Sequence, residues 1–407
     1  MRGARLVGAV VLRPDGPARD PLYVAGDSLG DAPVAGAATI DLAGHLVFPG
    51  LVNAHDHLQV NAVPPLPARG PFPNSYRWAA AFGAHFRDPA VAAALAVPKA
   101  VRCWQGGLKN LLAGSTTVAH HDPWDPALDE PRFPVRLLRR FGWCHSLGQA
   151  PRDGLLGALA DRLSRLAGGG PRFGPPVRRS FAETPPDSPW IIHLAEGTDE
   201  VARGELAALE ARGCLTDRTV LVHGVGLGEA GVARVVERGA AVVWCPSSHL
   251  ALYGATLAPR RLFDAGRLAL GTDARLSGAR DLLDELRVAA AHGDLTPAEL
   301  LRLCTADGAR LLRMGEVGAL APGRRADLIV VRDDGRDPHA RLLACRRAEL
   351  RAVVRDGRPA VADPDLAGWF SAAGVEAVPV TLDGRPKLLA RELARPEALT
   401  LEPGLSR

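Results

Sequence analysis

No run of apolar residues in this 407-residue chain reaches the roughly 18 that a bilayer-crossing helix needs. That excludes a helical membrane span. Closely paired cysteines are also missing. Cys103, Cys144, Cys214, Cys245, Cys304 and Cys345 are widely spaced, with no C-x-x-C pair, which argues against a disulfide framework or a cysteine zinc site. They are expected to be free, mostly buried thiols of a cytoplasmic protein. Lysine is nearly absent: Lys99, Lys109 and Lys387 are the whole supply, and the basic side is almost entirely arginine. The formal net charge of +4 arises from interspersed acids and bases. No basic stripe or aromatic-interleaved patch suggests a nucleic-acid partner. The early apolar run Leu6–Leu12 breaks at once on Arg13-Pro14-Asp15-Gly16, so it reads as a first β-strand and not as a signal peptide.

What is present is enough apolar material, 47% of residues, for one large core and a modest second one. Short strand-like runs occur at Arg5–Leu12, Pro21–Ala25 and Ala38–Leu42. Similar runs return at Arg325–Arg332 and Glu349–Val361, the latter with a hairpin signal at Asp356-Gly357. Neither end can bury a core alone, so the two ends are expected to share one small β-sandwich. Between them strands alternate with helices, the pattern of a parallel sheet or barrel. The strand candidates are Leu46–Leu58, Ser115–His121, Phe141–Leu147, Trp190–Ala195, Thr219–His223, Ala240–Cys245 and Arg267–Gly271. The helical stretches are Ala90–Leu112, Leu155–Leu166, Asp199–Arg212, Glu229–Glu237, Asp281–His292 and Pro297–Leu312. Seven strands are visible where a closed barrel needs eight, and the eighth is expected between Gly148 and Pro189. The fold class is therefore α/β: a (β/α)8 TIM-like barrel, regular or distorted, over residues 49–317. The β-sandwich takes residues 1–48 and 318–375, and 376–407 form a tail packing on either domain.

The chemistry sits at strand ends. In Asn53-Ala54-His55-Asp56-His57 the side chains of a strand alternate, so His55 and His57 share one face and Asp56 takes the other. His193 ends Trp190-Ile191-Ile192, His223 ends Val220-Leu221-Val222, and Asp273 follows Leu268-Ala269-Leu270-Gly271-Thr272. Any one of these is an ordinary loop or cap residue. Together, from different strands, they form the kind of set that a parallel barrel collects at its carboxyl face. Imidazole nitrogen with carboxylate oxygen suits zinc, iron or manganese better than calcium.

The ordered segments FPGLVNAHDHL, HLAE, LVHG, CPSS and LGTDA, with GALAPGRRADLIVV near the end, resemble the amidohydrolase superfamily. More narrowly, the chain is similar to the branch of cytosine deaminase, guanine deaminase and triazine hydrolase. The resemblance covers most of the chain. It implies one divalent metal, zinc first and iron or manganese next, held by His55, His57, His193 and Asp273. It implies Glu196 as acid/base in H-x-x-E, with a first-turn helix carboxylate as the ordinary alternative, and His223 beside the attacking water. Two-metal members of the superfamily bridge their ions with a carboxylated lysine at a strand end. No lysine here stands in such a place, so one metal is expected.

Three features depart from the branch. His249 follows Cys245-Pro246-Ser247-Ser248 where asparagine is usual. The second strand ends in His120-His121-Asp122-Pro123-Trp124. The region before His193 is short. His120, His121, Trp124 and His249 are candidates for substrate contact, and the Pro-rich stretch Val63–Tyr76 for the site mouth. The implied reaction is deamination of an aminated heterocycle or cyclic amidine. The alternatives are a two-metal cyclic amide hydrolase, a dehalogenating hydrolase, and a catalytically silent oligomeric binding protein. A cytoplasmic homodimer acting on a small molecule is expected.

Overall fold

A computed structural model describes residues 3–65, 70–166 and 172–407. Its central feature is a set of parallel strands that we number β1 to β8: Leu51–Asp56, Ser115–His120, Arg136–Leu137, Gly142–Ser146, Trp190–Leu194, Thr219–His223, Ala241–Trp244 and Leu268–Leu270. β1, β2 and β3 form one ladder, and β4 to β8 form another in chain order. Strands β5 to β8 are buried throughout and mostly apolar, the exceptions being Thr219 and the site histidines His193 and His223, as expected of parallel strands covered on both faces. The two ladders meet where Thr272 and Asp273 donate their backbone N–H groups to the His55 carbonyl at 3.0 and 3.1 Å. Among the described residues no ladder joins β3 to β4.

Several expectations need correction: the helical stretch Pro297–Leu312 is two helices, Pro297–Leu303 and Ala306–Leu311, and the run Arg5–Leu12 is split between strands Ala4–Val7 and Val10–Arg13 of different sheets. The eighth strand is not between Gly148 and Pro189. The described residues of that stretch hold the helices Gly154–Leu166 and Val177–Glu183; residues 167–171 lie outside the description. The strand is β3, two residues long and parallel to β2, too short to show any alternation of polarity. The run Leu46–Leu58 is not one strand. His45–Pro49 pairs antiparallel with Leu328–Arg332, and β1 begins afresh after Gly50. A Cβ at Gly50 would stand 2.3 Å from Thr116 Oγ1, so glycine is what lets the chain cross there. The helical stretch Ala90–Leu112 is two helices, Pro89–Ala96 and Lys99–Leu112, parted at Pro98, because proline removes a helical donor and restricts the residue before it.

The chain ends do pair. A nine-stranded sheet runs from Leu405–Ser406 through Ala377–Leu382, Arg385–Ala390, Arg358–Ala362, Leu350–Arg355 and Leu328–Arg332 to His45–Pro49, Val10–Arg13 and Gly16–Ala18. A four-stranded sheet is built from Ala4–Val7, Leu22–Ala25, Ser28–Gly30 and Ala38–Asp41. The hairpin at Asp356-Gly357 has positive φ at both residues, 51° and 71°, the signature of a tight primed turn. The sheet does not stop at residue 375. Three of its strands come from the last stretch of the chain, which is held by more than surface packing. Among the described residues no helix is long and apolar enough to cross a membrane.

That last stretch is pinned by Glu402, a buried carboxylate just before the final strand. It accepts from Gln105 Nε2 at 2.6 Å, from Arg275 Nη2 at 2.9 Å, and from Arg347. Arg275 and Arg347 are themselves buried, so removing the carboxylate strands two desolvated cations. We expect Glu402→Ala to lower unfolding free energy by about 3–5 kcal/mol, read as a shifted urea midpoint. A loss below about 1 kcal/mol would show that the network holds nothing together.

Candidate functional site

The residue alternation in β1 has the expected result. His55 and His57 face the carboxyl mouth of the parallel strands, and Asp56 points the other way into a polar nest. Its Oδ2 accepts from Asn110 Nδ2 at 2.8 Å, Lys109 Nζ at 3.0 Å and Thr272 Oγ1 at 3.1 Å, while Oδ1 accepts from Asn61 Nδ2 at 2.6 Å. Burial alone would raise the Asp56 carboxyl, but Lys109 and these donors hold it below the usual range. Lys109, fully buried in helix Lys99–Leu112, is thereby committed to Asp56. Lys99 donates to the Pro123 carbonyl, and Lys387 to Asp363 and the Leu350 carbonyl. None of the three lysines reaches the histidine cluster.

His55 and His193, from β1 and β5, bring their Nε2 atoms within 3.3 Å of each other. Two nitrogens bound at about 2.0–2.1 Å to one tetrahedral ion stand roughly 3.4 Å apart. Asp273 Oδ1 lies 3.6 Å from His55 Nε2 and 3.4 Å from His57 Nε2. The donor atoms of His55, His57 and Asp273 fall within 4.8 Å of one another, as do those of His55, His193 and His223. The second ring nitrogens are largely committed. His57 Nδ1 is 2.5 Å from Asp122 Oδ2, and His193 Nδ1 is 2.9 Å from the His145 carbonyl oxygen. Such partners fix the tautomer and turn Nε2 inward. His55 Nδ1 is buried without a partner among the described residues. Asp273 Oδ2 accepts from Ser248 and Ser277 at 2.7 and 2.9 Å, which leaves Oδ1 for the cluster. The donor set therefore fits a nitrogen- and oxygen-loving divalent ion.

Burial pushes His193 well below the ordinary histidine range, helped by the neighbouring rings. His57 goes the other way: burial lowers it, but the charge and hydrogen bond of Asp122 raise it to about 9. Glu196 lies beyond β5 and before helix Glu200–Ala211, whose cap is Asp199; it is not a first-turn helix carboxylate. Tyr253 Oη donates to its Oε1 at 2.6 Å, and His223 Nε2 is 3.5 Å from the same oxygen. Burial, and then the Asp273 charge, push the Glu196 carboxyl up to about 8, against the pull of the Tyr253 bond. Ser75 N–H donates to the Glu196 carbonyl at 2.9 Å, and Thr198 N–H to the Pro73 carbonyl at 2.8 Å. The Pro-rich stretch thus abuts Glu196; its residues 66–69 lie outside the description.

The remaining candidates divide. His121 ends beside His193, ring centroids 4.3 Å apart, with Nε2 3.0 Å from the Cys144 carbonyl oxygen. His120 turns away, its Nδ1 accepting from Leu58 N–H at 3.3 Å. Trp124 is not brought in: its Nε1 donates to Asp129 at 2.9 Å and Arg139 lies over its ring. His249 stands behind His223, not in front of it. His145, whose ring lies 4.9 Å from His193, is marked by no motif, although it too lies at a strand end. Tyr253 and Ser277 carry no local signal.

Parallel strands with a histidine–carboxylate cluster at their carboxyl ends are the arrangement of a TIM-like barrel domain. The sequence model of the amidohydrolase family matches residues 181–377. A 5-methylthioadenosine/S-adenosylhomocysteine deaminase of Desulforudis audaxviator is 30% identical over 293 residues, 62% of this chain and 68% of that one. An 8-oxoguanine deaminase of Pseudomonas aeruginosa is 28% identical over 401 residues, 83% of this chain and 87% of that one. A 5-methylthioadenosine/S-adenosylhomocysteine deaminase of Syntrophobacter fumaroxidans is 36% identical over 205 residues, 44% of this chain. The chain spans about half the length of this last relative, 46%. Among solved structures, atrazine chlorohydrolase from Arthrobacter aurescens complexed with zinc superposes with a TM-score of 0.68 at 21% identity, covering 91% of this chain and 99% of that one. The chain belongs to the amidohydrolase family.

The Asp56–Lys109 pair supplies a test of how the cluster is supported. We expect Lys109→Met to cost about 3–5 kcal/mol, because it leaves a buried carboxylate without its cation. The double variant Asp56→Asn/Lys109→Met should recover part of that loss. Additive losses in a double-mutant cycle would mean that the two groups are not coupled.

Proposed function

We propose that the protein deaminates an aminated heterocycle or cyclic amidine, using one divalent ion, zinc first, held by His55, His57, His193 and Asp273. The observation that carries this is the 3.3 Å approach of two imidazole nitrogens from different strands. No proton is needed between them, and their ring partners already fix one of the two tautomers. When bound, such an ion supplies a hydroxide at neutral pH. Asp273, steadied by Ser248 and Ser277, takes the proton of the attacking water. Glu196, with its carboxyl near 8, keeps a proton at neutral pH and can give it to a ring nitrogen or the departing amine. His223 faces the same space and can hydrogen-bond the developing oxyanion. His121 is a wall of the substrate pocket. The deaminase relatives and the zinc-bearing structural neighbour support the reading, and the engagement of Lys109 with Asp56 speaks against a lysine-bridged second ion.

We read both chain ends as one composite β domain of sandwich type, now including the strands up to Ser406. The six cysteines, free and buried, suit a reducing cytoplasm. A homodimer is supported by the leucine row of helix Gly154–Leu166, where Leu155 and Leu156 are 91% and 85% exposed and Leu159, Leu163 and Leu166 follow on. Contiguous exposed apolar surface of this kind marks an interaction site.

Two measurements decide the central reading. Protein purified without chelators should contain about one divalent ion per chain, zinc first and iron or manganese next; a reproducible two would overturn the one-metal reading. On a panel of purines, pyrimidines, pterins and triazines with ammonia detection, Glu196→Gln should keep its metal and lose about 10²–10⁴-fold in turnover. His193→Ala should lose metal and turnover together. Near-normal turnover by Glu196→Gln would remove Glu196 from the mechanism.

A further inference from the structure

His249 occupies a place that none of the chemistry above requires, and its contacts form a chain in which every hydrogen can be assigned. Trp244 Nε1 lies 2.8 Å from Thr256 Oγ1. An indole N–H can only donate, so the hydroxyl accepts. The other contact of that hydroxyl is His249 Nδ1 at 3.0 Å, and its single hydrogen is free to point there. His249 Nδ1 then accepts. A neutral imidazole carries one N–H, so its proton sits on Nε2. That atom is 3.1 Å from His223 Nδ1, where two donors would collide. His223 Nδ1 therefore accepts, and its own proton is on Nε2, 3.5 Å from Glu196 Oε1. Both rings are buried, His249 completely and His223 to 1% exposure.

We propose that His249, set by Thr256, is a positioning residue that holds His223 with its proton on Nε2. His223 then meets the reacting centre as a hydrogen-bond donor. It is not a further metal ligand, although it lies close enough to His55 and His193 to be one. His223 has a φ of 81°, a left-handed conformation uncommon for any residue but glycine, which aims the ring across the mouth of the strands. The opposite assignment runs the chain in reverse: His223 donates to His249, His249 donates to Thr256, and the half-buried hydroxyl accepts twice, leaving its own hydrogen without a protein partner among the described residues. The two assignments give His223 opposite roles, and only the reverse one frees its Nε2 for a metal.

The inference rests on the metal-assisted reading only for its consequence, so the test reads protonation directly. Full-length protein with ¹⁵N-labelled histidine rings, zinc-free and zinc-loaded, is examined by two-bond ¹H–¹⁵N correlation, which reports the protonated nitrogen of each ring. Loss of one ring's pattern in His249→Asn and in His223→Asn assigns the signals. We expect both His223 and His249 to carry hydrogen on Nε2, with and without zinc. In Thr256→Val, which removes the hydroxyl but keeps the shape, the two rings should lose this single pattern while zinc content stays unchanged. Thr256→Ser should restore it. A proton on Nδ1 of either ring in the wild-type protein, or zinc on His223 Nε2, overturns the proposal, as does a Thr256→Val spectrum identical to wild type. Failure of zinc to bind at all would instead count against the metal-assisted reading, since the zinc-free spectrum still reports the tautomers.

Discussion

Asp56 is a carboxylate with no exposure to water, placed between His55 and His57 at the end of β1. Taking such a charge out of water costs several kcal/mol, and only a close cation with further hydrogen bonds offsets it. Lys109 provides the cation. Asn110, Asn61 and Thr272 fill the remaining acceptor sites. These donors come from the helix before β2, the loop after β1 and the end of β8. Asn53 joins them through bonds to Asn110 and Thr272, both at 2.8 Å. Satisfying one buried charge thus ties three distant segments together, directly beneath His55 and His57. The positions of those two rings depend on it.

Above that anchor, the strand ends are bent to aim their side chains. Ala195, His223 and Asp273 all have positive φ, at 52°, 81° and 57°, and they follow or end β5, β6 and β8. Each such residue costs about 1–3 kcal/mol unless its surroundings hold it. Here the surroundings are visible: Gly224 and Gly226 N–H donate to the Leu194 and Ala195 carbonyls, and two serines grip Asp273. Strain gathered at the ends of β5, β6 and β8 is a property of the cluster, not of the fold, whose strands are otherwise regular and mostly apolar. The same rigidity sets the ring partners, with Asp122 on His57 and the His145 carbonyl on His193.

Much of this is legible in the amino-acid sequence. Period-two alternation assigns His55 and His57 to one face and Asp56 to the other. The rule that polar residues at the ends of apolar parallel strands converge selects His193, His223 and Asp273. Asp356-Gly357 announces its own turn, and the scarcity of lysine is informative because each one can be followed to a partner. Those readings succeed because each is local: a period, a turn or a strand end is carried by a few consecutive residues. Tertiary structure decided the rest. A two-residue strand has no period, so β3 was invisible. Gly50 divides a continuous apolar run only because Thr116 stands against it. Trp124 and His121 are three residues apart, yet one bonds Asp129 on the outside and the other joins the cluster. His249 meets His223 with no hint of it in the sequence, because a hydrogen-bond partner is chosen by which ends of distant elements meet, and spacing along the chain does not encode that.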